Sequence, residues 1–441
     1  MSRKLKRLTS FQTIIVGFTS VIIIGTILLM LPISSANGIV TSFHEALFTS
    51  ISAVCVTGLV VQDTATYWSY FGQGVILTLI QIGGLGVITV AASFALLSGR
   101  KISLLQRSTM QEAISAPKLG GIVRLTSFML KTTFLFEFVG ACIMMPFFIN
   151  DFGIKGIWMA IFHSISAFCN AGFDLMGTSR MPFSSLTYYA SHPVVNIVII
   201  ALIVIGGIGF LTWEDISNHK FHIKQYRMQT KVILLTTSIL IIIPTILFYI
   251  DLNDYPFFER LQVAFFQAVT PRTAGFNTID LTKMSHANQS LMIVLMLIGG
   301  SPGSTAGGMK TTTIAVLVAN AYASFLKKED PCCFGRRIEA KTIKHAATIL
   351  ALYITLCFGS AYVISALEHL SMHLCLFETA SAVGTVGLTL GITQQIGILS
   401  QIILMILMFL GRVGGLTLIY AALSGNKKNL SRLPQGKITV G

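Results

Sequence analysis

The sequence predicts an all-α polytopic membrane protein with eight spans in four pseudo-repeats. Three observations predict it. The 441 residues are 53% hydrophobic and only 11% charged, with a mean hydropathy of +0.76, and a soluble domain needs more polar surface than that. Apolar runs of about 18 residues or more recur, the length that lets a helix cross a bilayer. A short motif of one glycine followed by one large apolar residue occurs four times at near-equal intervals. The copies are Val56-Thr57-Gly58-Leu59, Asn170-Ala171-Gly172-Phe173, Thr273-Ala274-Gly275-Phe276 and Thr385-Val386-Gly387-Leu388.

The elements follow in order. Arg3, Lys4, Lys6 and Arg7 precede a first span over 13–31, so the N-terminus is expected in the cytoplasm. The basic start is followed by a long apolar run without a small-residue cleavage site, which does not read as a cleavable signal peptide. Pro32 ends the first helix. Ser42-Phe43-His44-Glu45 has the pattern of a capping box and opens a helix to about Ala53, too short to span. A short helix, a glycine loop and a returning span over 71–97 make a re-entrant unit. Irregular backbone at that depth is tolerated only where protein buries it or it lines a water-filled cavity. The cycle repeats with spans 128–149 and 194–211 around a short helix at 157–168. It repeats again with span 232–250, a short helix at 261–269 and a span from Met292. The last copy uses 346–367, 372–383 and 398–422. Repeat boundaries are expected at 1–97, 98–218, 219–325 and 326–441, with both termini inside.

Charge fits this layout. Of 31 Lys plus Arg, all but Lys155, Arg180, Arg260, Arg272 and Lys283 fall on or near the cytoplasmic side. Glu45, Asp63, Asp151, Asp174, Asp251, Asp254, Glu259, Asp280, Glu368 and Glu378 fall outside or in the outer half. Insertion rules explain the missing bases but not the excess of acids. An acidic outer face attracts cations. The net charge of +14 is therefore read as topology, and its division among short loops argues against nucleic-acid binding.

A glycine-rich mark follows each loop inside the next span. The marks are Gly83-Gly84-Leu85-Gly86, Gly206-Gly207-Ile208-Gly209, Gly299-Gly300-Ser301-Pro302-Gly303 and Gly411-Arg412-Val413-Gly414, trailed by Thr89, Thr212, Thr305 and Thr417. The first two read as close helix packing. The third runs on through Gly300, Ser301, Pro302, Gly303, Ser304, Thr305, Ala306, Gly307 and Gly308, which cannot hold a continuous helix in lipid. That span is expected to break. The same stretch nearly matches a phosphate-binding loop, but Met309 stands where lysine is required and no strand precedes it. In the fourth mark, Arg412 at membrane depth is expected to face inward, with carbonyls of the broken third span as candidate partners. The alternative is that it snorkels to the cytoplasmic end. Glu137 is also intramembrane, with Lys131 as a candidate partner.

No catalytic constellation is apparent, and nothing in the histidine spacing suggests metal ligands. His163 reads as packing or capping. The seven cysteines show neither a disulfide framework nor zinc spacing, and Cys332-Cys333 reads as plain reduced thiols. What the four loops can do is conduct a monovalent cation. Carbonyl rings can replace a hydration shell, glycine reaches the backbone angles that aim carbonyls at an axis, and each short helix turns its negative end to the ion. The candidate ion-lining residues are Val56, Thr57 and Gly58; Asn170, Ala171 and Gly172; Thr273, Ala274 and Gly275; and Thr385, Val386 and Gly387. In a tetrameric potassium channel four identical loops do this. Here they differ, so weaker discrimination between potassium and sodium is expected.

These residues carry a resemblance. With Phe168-Cys169-Asn170-Ala171-Gly172-Phe173, the run Ala268 to Asn277, Gly384 to Leu388, the broken stretch and the Gly411-Arg412 pair, the chain resembles the membrane subunit of a bacterial Ktr-type potassium uptake system. That subunit type belongs to the Trk/Ktr/HKT superfamily. The resemblance implies a potassium-channel-like pore in each chain of a homodimer in the bacterial cell membrane. It implies a cytosolic ring of nucleotide-binding (RCK-type) regulatory subunits on the basic cytoplasmic face. It also implies a gate formed by the stretch from Gly300 to Gly308 and held closed by Arg412. Glycine in all four loops favours potassium, because relatives with serine in the first loop tend to admit sodium. Sodium is a candidate activator, no organic cofactor is implied, and Gln435 to Gly441 is the expected dimer tail. Cys169 stands where relatives often carry another small or polar residue. The rival readings are a sodium- or proton-coupled carrier and a sodium-translocating subunit of an ATPase complex. Scarce intramembrane carboxylates argue against a proton relay and against the ATPase subunit.

Overall fold

The computed structural model describes residues 9–97, 104–114, 120–253 and 255–414. Thr417, Asp254, the first basic cluster, the end of the span expected over 398–422 and the expected dimer tail lie outside these residues.

The described chain is helical almost throughout. It runs α1 Ser10–Met30, α2 Phe43–Cys55, α3 Tyr70–Leu85, α4 Val87–Leu97, α5 Leu104–Ile114, α6 Ile122–Phe152, α7 Lys155–Phe168 and α8 Pro193–Ile208. It continues through α9 Phe210–His219, α10 Met228–Asp251, α11 Phe257–Val269, α12 His286–Leu297 and α13 Thr311–Phe325. A two-residue hairpin, β1 Cys332–Cys333 with β2 Arg336–Arg337, leads to α14 Ala340–Glu368, α15 Met372–Gly384 and α16 Ile398–Val413.

Among the described residues four helices, α1, α6, α10 and α14, are long and apolar enough to cross a membrane alone. Each is followed by a short helix that packs against it: α2, α7, α11 and α15. The starts of these helices are written locally. Thr9 and Gln12 form a reciprocal capping box on α1. At α2 only half of the expected box exists. Ser42 accepts from the Glu45 N–H at 3.3 Å, while the Glu45 carboxylate takes the Ser42 hydroxyl and the Gln62 amide.

The inner helices differ from expectation. The spans expected over 71–97 and 194–211 are not continuous. The α3–α4 and α8–α9 pairs each bend by 95°. Gly86 and Gly209 stand at the bends with φ of 83° and 98°, where side-chain-bearing residues rarely go. Gly414 ends α16 with φ 88°. The first glycines of the first two marks do pack closely, as expected, and so does that of the fourth. A methyl group on Gly83, Gly206 or Gly411 would lie within 2.0–2.2 Å of the carbonyl oxygens of Val54, Phe168 or Val383. The third inner helix breaks where expected, with α12 ending at Leu297 and α13 starting at Thr311.

Candidate functional site

The four glycine loops meet in one closed ring. Each follows the end of a short helix. Val56, Asn170, Thr273 and Thr385 take left-handed φ values of 57°, 59°, 67° and 52°, and the glycine two residues on is again positive at 90°, 68°, 82° and 93°. The intervening residue has negative φ, and this alternation turns successive carbonyls to one side. Left-handed non-glycine residues carry strain of order 1–3 kcal/mol each and persist where surroundings impose them. All four are buried to 1% exposure or less.

The ring order is read from close approaches. A methyl group on Gly58 would lie 2.5 Å from the Ala171 carbonyl oxygen, one on Gly172 2.7 Å from that of Ala274, one on Gly275 2.4 Å from that of Val386, and one on Gly387 2.2 Å from that of Thr57. The sequence argued for glycine from φ alone. Contact with the neighbouring loop excludes a side chain as well. The carbonyls of Thr57, Ala171, Ala274 and Val386 thereby form one level of the ring. Leu59, Phe173, Phe276 and Leu388 are buried behind it. The hydroxyls of Thr57, Thr273 and Thr385 are buried without a hydrogen-bond partner among the described residues.

Four residues that sequence reading missed hold the loops. Ser52 and Ser381 accept from the N–H of Gly58 and Gly387 at 3.1 and 3.0 Å. Ser166 donates to the Phe173 carbonyl at 2.7 Å, and Thr270 donates to that of Phe276. The signal was present as a hydroxyl residue six positions before each glycine, five in the shorter third loop. His163 packs among Phe148, Phe162 and Phe276, as expected, and it also positions the segment after its loop. Its Nδ1 bonds the Met159 carbonyl at 2.7 Å and its Nε2 accepts from Leu175 at 3.3 Å.

Beyond the ring lies a cavity of about 60 Å³ that reaches all four glycines and the side chains of Asp63, Asp174, Asn277 and Gln394. Asp63 is committed to its surroundings, accepting from Phe183 N–H at 2.9 Å and from Thr66. Asp174 is half-buried. Burial, with the Asp63 carboxylate nearby, pushes its carboxyl up to about 7. Some of the other acids placed outside or in the outer half also serve local bonds. Asp151 takes the Tyr189 hydroxyl, Glu368 the Ser400 hydroxyl, and Glu378 is fully buried.

On the other side of the ring the irregular segment from Gly299 to Lys310 crosses between repeats. Ser301 N–H donates to Gly207 at 2.9 Å, Thr305 N–H to Gly206 at 3.3 Å, and Gly303 O accepts from Phe210 at 2.8 Å. Bent α8–α9 and the broken third helix thus satisfy each other's freed backbone groups, as burial requires. The Thr305 hydroxyl bonds the Phe168 carbonyl at 3.0 Å and the Asn170 side chain at 3.3 Å. A methyl group on Gly307 would lie 2.0 Å from the Thr385 hydroxyl, so the segment touches the loops directly. Pro302, Ser304, Ala306 and Gly308 complete it, with the Ser304 hydroxyl on Ser301 O at 2.7 Å.

Arg412 faces inward. It donates to Thr305 O, to Gly83 O and, at 3.2 Å, to Gly84 O. Lys310, which sequence reading gave no role, donates to Ala306 and Gly307 carbonyls at 2.8 and 3.2 Å. Glu137 does not pair with Lys131. Six residues on a helix turn about 240°, and Lys131 is exposed. Glu137 instead accepts from Gln81 at 3.2 Å, with the Cys169 thiol 3.9 Å away. Cys169 therefore points into the helix interface behind its loop.

Fold and ring together define a polytopic membrane transport protein, not an enzyme. The sequence profile of TrkH, described as a cation transport protein, matches residues 2–431, and the chain belongs to that family. It is 39% identical to the potassium/sodium uptake protein NtpJ of Enterococcus hirae over 99% of this chain and 98% of that one. It is 36% identical to the Ktr system potassium uptake protein B of Bacillus subtilis, over 99% and 97% of the two chains. The crystal structure of the potassium transporter TrkH from Vibrio parahaemolyticus superposes with a TM-score of 0.74 at 18% identity, covering 95% of this chain and 85% of that chain.

Proposed function

We propose that the chain takes up potassium through the ring of four loops, in a cell membrane with both termini cytoplasmic. The observation that carries this reading is the closed carbonyl level of Thr57, Ala171, Ala274 and Val386, because such a ring can replace an ion's hydration shell. The names of the two relatives, a potassium/sodium uptake protein and a potassium uptake protein, support the substrate. Inward movement is driven by the membrane potential, about 2.3 kcal/mol per charge per 100 mV.

In this reading the segment from Gly300 to Gly308 is the gate. It crosses below the ring, and Arg412 latches it to the end of α3. A separate regulatory subunit docks on the basic cytoplasmic loops and displaces it, which suits kinship to a protein named as part of a Ktr system. Two chains form the working dimer, each with its own pore.

The test is growth of a bacterium lacking potassium uptake that expresses this chain with its regulator. Wild type should rescue growth at low potassium, and Gly58→Ser should fail to rescue or should admit sodium. Wild type that fails while sodium flux appears would put the sodium-transport reading ahead.

A further inference from the structure

One face of each short helix carries two polar side chains three residues apart, the spacing of neighbours on a helical surface. The second of each pair is the hydroxyl that holds its loop: Ser52, Ser166, Thr270 or Ser381. The first is Thr49, His163, Gln267 or Glu378, and each is exposed by 1% or less.

In three repeats this first side chain crosses to the segment beyond the glycine. His163 Nε2 accepts from the Leu175 N–H at 3.3 Å. Gln267 donates from Nε2 to the Thr278 hydroxyl at 3.3 Å. Glu378 accepts from the Thr389 hydroxyl at 2.8 Å and from the Thr393 hydroxyl. In the first repeat the side chain is too short. The Thr49 hydroxyl is buried without a hydrogen-bond partner among the described residues, so this position does not tie the outer part of that loop; α2 reaches it from its other end, where Glu45 accepts from the Gln62 amide at 2.8 Å.

Nearer the ring, at Val60, the loop is held from the fourth repeat. Gln394 donates from Nε2 to the Val60 carbonyl at 2.9 Å. Gln394 follows Thr393, whose hydroxyl goes to Glu378 and whose carbonyl takes the Gln401 amide at 3.0 Å. One buried carboxylate therefore stands behind two adjacent loops. They are also the tightest pair in the ring, since Gly387 and the Thr57 carbonyl make its closest approach.

We propose that Glu378 is a positioning residue for the fourth loop directly and for the first loop through Thr393 and Gln394, and that it thereby sets the preference for potassium over sodium. This rests on the uptake function proposed above. The reason is geometric: the two Glu378 carboxyl oxygens accept from the Thr389 and Thr393 hydroxyls at once, so one buried side chain ties two residues beyond the glycine. Loosening them lets the Val386 and Thr57 carbonyls adapt to a smaller ion.

The experiment measures reversal potentials in potassium and sodium for the full-length chain in vesicles, for wild type, Glu378→Gln, Gln394→Ala, the double variant and Thr49→Ala. Size-exclusion elution and thermal unfolding of each variant are recorded alongside. Glu378→Gln and Gln394→Ala should each lower the permeability ratio by about fivefold. The double variant should fall no further than the larger single effect, since both act along one path. Thr49→Ala should keep the wild-type ratio. Unchanged ratios in both single variants, or additive loss in the double, would overturn the inference while leaving potassium uptake intact. If Glu378→Gln fails to fold, half-buried Gln394 decides alone. A wild type without potassium preference overturns the uptake function itself, and this inference with it.

Discussion

Gly387→Ala is the sharpest perturbation of the ring. Its φ of 93° lies beyond the left-handed well near 57°, and an L-residue in left-handed backbone carries roughly 1–2 kcal/mol of strain. The added methyl would sit 2.2 Å from the Thr57 carbonyl oxygen, where real contacts begin at 3.0 Å. One of the two loops must retreat by about 1 Å, and the three nearest atoms are all backbone, so no rotamer change relieves it. Strain of about 1.4 kcal/mol expressed at an ion site corresponds to a tenfold change in preference. The expected result is a potassium-to-sodium permeability ratio about tenfold lower, measured from reversal potentials, with slower rubidium uptake. Gly172→Ala should be milder, because its φ of 68° is close to the left-handed well and its methyl would meet Ala274 O at 2.7 Å. A wild-type ratio in Gly387→Ala, or a worse defect in Gly172→Ala, would refute the reasoning.

Arg412→Met removes three carbonyl bonds that join the third repeat to the first. Flux without the regulator should rise by about tenfold or more, as expected for losing bonds to a charged group, and unchanged flux would disprove the latch. Lys310→Met should raise it less, because both of its acceptors lie in its own segment. Asp174 predicts a pH step. With its carboxyl raised to about 7, the mouth carries that charge above pH 7 and loses it below. Potassium uptake at low concentration should fall by ~3-fold from pH 8 to pH 6, the worth of one charge about 6 Å away in water. Asp174→Asn should remove the step. The same raised carboxyl makes folding less favourable as pH rises from the ordinary Asp value of 3.8 towards 7, so the step is a flux effect, not a loss of fold.

The architecture was legible because membrane burial writes itself into long apolar runs, and because four copies of one motif expose each other. The ring's interlock was not. That Gly387 abuts Thr57 O is a contact across most of the chain length. The bends at Gly86 and Gly209 were misread for a related reason. A glycine cluster in an apolar run suits either packing or a break. The deciding group is the Phe210 N–H, which finds its partner at Gly303 in another repeat. Arg412 was readable because an intramembrane cation needs freed carbonyls, and the broken stretch was the evident supply. Glu137 was assigned a neighbour on its own helix, whereas its partner Gln81 comes from the first repeat. Glu378 counted as an outer acid by position, and only packing shows it buried behind the ring.

The central claim is that one ion path runs through the four loops. Anomalous diffraction from crystals grown in thallium or rubidium tests it most directly. A peak on the axis between the carbonyls of Thr57, Ala171, Ala274 and Val386 is the expected result. Well-occupied peaks elsewhere in the protein, with none inside that ring, would contradict it.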